Sequence, residues 1–128
     1  MNFRLTFAAF ALLAAPFAAG GSAHAHGSMK PQHGGIVQMT GETLFELVTG
    51  PKGVELYVSE DDEPVAASGM TANLSIASGA ARKNAPLTPA GGNKFVAKGL
   101  KIASGSKVTV TLVDNASKAK SFAIFTAK

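Results

Sequence analysis

The chain has no cysteine and no tryptophan, and its 128 residues include one tyrosine and three histidines. Without cysteine there can be no disulfide, so whatever part folds must be held by a packed apolar core. The same absence removes every thiolate site, which excludes blue-copper electron transfer, thiolate zinc and iron–sulfur clusters. There is no Gly-x-Ser-x-Gly elbow. All three histidines, His24, His26 and His33, precede the part that reads as folded, so no base is available there to activate a serine. No close carboxylate pair stands out beyond one exposed acidic run, which argues against glycosidase chemistry. The chain is read as non-enzymatic.

Clustered positive charge is also missing. The formal net charge is +4, but the lysines are spread from Lys30 to Lys128 without a run and without interleaved aromatics. That pattern reads as solubility, and no nucleic-acid partner is expected. Long apolar runs are confined to residues 5–19, which follow Met1-Asn2-Phe3-Arg4 and precede Gly20-Gly21-Ser22-Ala23-His24-Ala25. A charge, an apolar stretch and a small-residue cleavage site form a secretory signal. With Thr6 and Pro16 inside it, the stretch is short for a helix crossing a ~30 Å hydrocarbon core. The expected organisation is a cleavable signal peptide over 1–25, a flexible arm over 26–35 and one folded domain over 36–128, in a periplasmic protein whose mature chain has no integral membrane segment. Cleavage after Ala25 would leave His26 at the new N-terminus, and cleavage after Ala23 would leave His24.

What the sequence does have is period-two alternation in short runs bounded by Gly, Pro, Asn and Asp, the mark of half-buried strands. These runs fall at 36–40, 43–49, 54–59, 71–77, 94–98, 107–114 and 121–126. Residues 78–92 read as a long loop around at most a short extended piece, and no stretch has convincing helical spacing. About seven short strands in one domain imply an all-β fold, a small antiparallel sandwich of immunoglobulin-like or cupredoxin-like type.

Chemistry concentrates in the arm. His24, His26 and His33 fall within ten residues of one another, with Met29 in the arm and Met39 just beyond it. Neutral imidazole is the commonest protein metal ligand, and thioether sulfur adds a preference for Cu(I). A terminal His26 offers amine and ring nitrogen to one ion, with His33 reaching back. A terminal His24-Ala25-His26 offers amine, two amides and a ring in the square-planar set that suits Cu(II). The expected cargo is copper, as Cu(II) or Cu(I), with zinc ranked below it. The run Glu60-Asp61-Asp62-Glu63 lacks the ligand spacing and central glycine of a calcium loop and reads as a solvated turn. Met70 is either an additional thioether ligand or a plug at the end of the core.

The segments His33-Gly34-Gly35-Ile36-Val37, Phe45-Glu46-Leu47-Val48 and Val54-Glu55-Leu56-Tyr57-Val58, with Pro64-Val65 after the acidic turn, resemble a known group. They are similar to small periplasmic domains found alone or at the front of adaptor subunits of heavy-metal efflux systems of the resistance–nodulation–division type. The likeness covers about residues 33–76. It implies a periplasmic β-sandwich associated with heavy-metal resistance, with efflux components as partners and His33 at the group's leading histidine. The chain lacks the hairpin and barrel regions of a complete adaptor. The alternative expectation is a non-catalytic interaction module that docks on a periplasmic complex.

Overall fold

Alternating side chains fold the domain by burying one face of each strand. In the computed structural model, which describes residues 29–128, β3 (Gly53–Glu60) buries Val54, Leu56 and Val58 and turns Glu55, Tyr57 and Ser59 outward. Likewise β8 (Lys107–Asp114) buries Val108, Val110 and Leu112. The remaining strands are β1 (Ile36–Thr40), β2 (Thr43–Gly50), β4 (Glu63–Pro64), β5 (Met70–Ser78), β6 (Ala81–Pro89), β7 (Lys94–Lys98) and β9 (Lys120–Thr126). The fold is all-β, and its one helical turn among the described residues is the 3-10 turn Ala67–Gly69. No helix there is long and apolar enough to cross a membrane.

All pairings are antiparallel, in the order β1-β2-β3-β7-β6-β5-β8-β9, with β4 added beside β3. The sheet folds over into two layers, a first around β1, β2, β3 and β7 and a second around β6, β5, β8 and β9. Phe45, Leu56 and Phe95 of the first meet Leu74, Val110 and Phe125 of the second in one core, all essentially inaccessible. Burying each such side chain contributes ~1.5–3 kcal/mol. The layers are joined at one seam by the end of β6, where Thr88 pairs with Val96 and Pro89 with Phe95. At the other seam Thr40 Oγ1 donates to the Phe122 carbonyl at 2.7 Å, which leaves the sheet nearly closed.

The region read from sequence as a loop, 78–92, contains β6, which buries Ala85 and Leu87. Its signal is weak because Arg82-Lys83-Asn84 and Pro86 interrupt the alternation. A strand paired along most of its length on one side only tolerates such residues. The acidic run is a hairpin turn: Asp61 and Asp62 hold φ of 50° and 65° between the paired Glu60 and Glu63, the two-residue geometry that Asp and Asn accept. Met70 begins β5 and packs half-buried against the core.

Candidate metal-ligand site on the outer face of the first sheet

Alternation breaks down in β2. Phe45, Glu46 and Leu47 are all buried, although Glu46 points away from the core side that its neighbours face. Covering the Glu46 carboxylate is the chain just before β1. The backbone N–H groups of Gln32, His33 and Gly35 donate to it at 2.9, 2.7 and 3.0 Å. His33 Nδ1 lies 3.0 Å from Glu46 Oε1. Convergent backbone N–H groups make a concavity for an anion, and here the anion belongs to the protein.

Two glycines permit this wrapping. Gly34 takes a φ of +76°, which few residues but glycine adopt cheaply. A Cβ on Gly35 would collide with the Leu47 carbonyl oxygen and with Val48 Cγ2, so only glycine lets the chain lie flat against β2.

Burial pushes the Glu46 pKa up, but the bonds from Gly35, the His33 ring, Gln32 and the His33 backbone outweigh it and hold the pKa below its ordinary value. An ionised carboxylate only accepts hydrogen bonds. His33 Nδ1–H then donates to Glu46, and the nitrogen left for a metal is Nε2. A carboxylate behind one ring nitrogen is the arrangement that orients metal-ligating histidines and raises their basicity.

The His33 ring stacks on Tyr57, with centroids 3.5 Å apart and planes 4° from parallel. Tyr57 is the direct cross-strand neighbour of Glu46. Its hydroxyl donates to Glu55 Oε2 at 2.8 Å, and Lys94 Nζ lies 3.6 Å from Glu55 Oε1. Desolvation, the Glu55 hydrogen bond and the negative charges of Glu55 and Glu46 push Tyr57 up to about 12. The ring of His33 is thus fixed through Glu46 on one side and one flat face, while its side chain stays 41% exposed.

Of the sequence candidates among the described residues, only His33 enters this unit. Met39 is half-buried on β1, on the same sheet face as Glu46, two positions beyond the Val37 that pairs with Glu46. Met29 is 55% exposed. His24 and His26 lie outside the described residues. Among the described residues no group of three or more His, Asp or Glu side chains could hold a metal ion. They supply one oriented imidazole, with a thioether on the same face, and do not close a coordination sphere. The segment expected to end a flexible arm is tied down over 32–35. Glu46 and Tyr57 read in sequence as ordinary strand positions, yet they organise the site.

No family model matches this chain, and neither a curated protein nor a solved structure is detectably similar to it. The likeness to efflux-associated domains rests on the motifs alone. In this chain those motifs have a physical link, because His33-Gly34-Gly35 and Phe45-Glu46-Leu47-Val48 are two halves of one hydrogen-bonded unit.

Proposed function

We propose that this is a periplasmic, non-catalytic metal-handling protein, tied to heavy-metal efflux or resistance, that carries copper through His33. The observation that supports it is the ionised Glu46 carboxylate against Nδ1, which presents Nε2 as a preoriented ligand. The remaining ligands are His26, or His24 with His26, for Cu(II), with Met29 and Met39 added for Cu(I). Imidazole and thioether without thiolate suit copper better than zinc. Calorimetric titration with Cu(II) and Zn(II), on protein whose N-terminus is fixed by intact mass, tests the reading. Sub-micromolar Cu(II) binding, about 8 kcal/mol or more, that His33→Ala weakens at least tenfold supports it. Equal Cu(II) affinity in the two proteins contradicts it.

A second reading, a docking module without a metal role, is favoured by Phe122 and Ile124, which stand 51% and 55% exposed on the outermost strand β9. A photo-crosslinking residue at Ile124 distinguishes it. Metal-independent adducts in periplasm support docking, and uncrosslinked monomer opposes it.

A further inference from the structure

The fold gathers basic side chains that the sequence scatters and sets them opposite an acidic end. Six of the eight carboxylates, those of Glu42, Glu60, Asp61, Asp62, Glu63 and Asp114, lie at the end of the sandwich formed by the 40–43 and 60–63 turns and the end of β8. At the opposite end stand Lys52, Arg82, Lys83, Lys98, Lys101 and Lys107, around the β2–β3 and β5–β6 turns and the 99–106 connection that runs from Lys52 to β9. Glu55 of β3 is engaged by Tyr57 and Lys94.

A gap in the sheet opens at this basic end. β6 pairs with β7 at Thr88 and Pro89 only, so over 81–87 it is paired on its β5 side alone, and Ala97 and Lys98 of β7 are paired to β3 alone. The strands splay into a cleft of ≈ 820 Å³ with Pro86, Val96 and Leu100 among its apolar lining and Lys83 and Lys98 as charged members. Leu100 is buried and closes the core beneath.

We infer that the cleft between β6 and β7 binds an acidic, extended peptide segment of a partner protein. An unpaired strand edge offers main-chain hydrogen bonds to an added strand, whose alternate side chains then face opposite ways. The register puts Lys98 on the outer face with Pro86 and Val96, so carboxylates in the outward row meet Lys98, while the inward row meets Leu100 and Lys83 stands at its open end on the core-facing side of β6. Pro86 has no N–H to give, so pairing on β6 falls on the residues flanking it. Among the described residues the basic end carries no exposed aromatic for stacking nucleotide bases, and the exposed large apolar residues Met29, Phe122 and Ile124 belong to other parts of the fold, so a peptide fits it better than nucleic acid or a lipid surface.

The test uses a fluorescein-labelled octapeptide of alternating Glu and Val, its Lys-Val counterpart, and phosphatidylglycerol vesicles, each titrated with the full mature chain at low salt, where charge contacts are least screened. The Glu-Val peptide should bind, the Lys-Val peptide should not, and amide shifts should concentrate in 81–87 and 97–100. Lys83→Glu with Lys98→Glu, both at exposed positions, should weaken binding at least about tenfold. Lys118→Glu with Lys120→Glu, at the other end, should change it less than about twofold. Absence of peptide binding, equal loss in the two double variants, shifts mapping elsewhere, or binding of the vesicles without the peptide would each overturn the inference.

Discussion

The two layers of the sandwich follow different rules on their outer faces. The second layer alternates cleanly: β5 buries Ala72, Leu74 and Ile76, and β9 buries Ala123 and Phe125, while Asn73, Phe122 and Ile124 between them stay exposed. The first layer breaks the alternation in β2, where Glu46 is 2% exposed between two core residues. Period-two burial is what a sheet with one solvated face must show. A departure from it marks a place where something covers the sheet, and here the cover is the His33-bearing segment, drawn down by a carboxylate.

Removing the cause of the difference should have the largest effect. Glu46→Ala leaves the N–H groups of Gln32, His33 and Gly35 and the His33 ring without their acceptor, and should cost about 3 kcal/mol in chemical denaturation. It should also remove an acid-labile component of stability. Because the folded pKa of Glu46 is lowered, its contribution is complete above the unfolded value of 4.5 and is lost as pH falls through the folded one. A denaturation series from neutral to acidic pH should show that loss in the native chain and not in the variant.

Gly35→Ala tests whether the close approach matters. The clash with the Leu47 carbonyl should lift the segment at a cost of about 2 kcal/mol, and the amides of 32–35 should gain hydrogen exchange. His33→Ala removes one hydrogen bond and the stacked ring while leaving the backbone bonds, so about 1 kcal/mol is expected. Tyr57 gives that region its own reporter, since the chain has one tyrosine and no tryptophan. Its absorbance titration should centre near 12, and a midpoint at the ordinary value near 10 would contradict the described surroundings. Asn73→Ala, on the exposed second layer, should stay within about 0.5 kcal/mol of the native chain.

What the sequence discloses and what it hides follow from range. Strands at 36–40, 94–98 and 107–114 are legible to the residue because local alternation alone makes them. β6 is hidden because its prolines and charges are tolerated by a partly unpaired edge, a property of the sheet and not of the strand. His33 is visible as a candidate from its chemistry. Its partner Glu46 is not, since thirteen positions separate them and nothing local says that the outward carboxylate will be covered. The signal that could have found it is the pair of glycines after His33, which make little sense in a mere tether. The basic end is hidden for a similar reason, because residues as far apart as Lys52 and Lys107 meet only through the topology.

Under the proposed function Glu46 prepares His33 as a metal ligand by fixing its ring, and Tyr57 fluorescence under Cu(II) titration tests this directly, with the native chain beside Glu46→Gln. Copper bound at Nε2 would sit beside the ring stacked on Tyr57, so the proposed function predicts that the native signal quenches to saturation at sub-micromolar Cu(II). The neutral amide should weaken that quenching about 10–100-fold in a protein that remains folded. Quenching with the same affinity in both proteins would contradict the account.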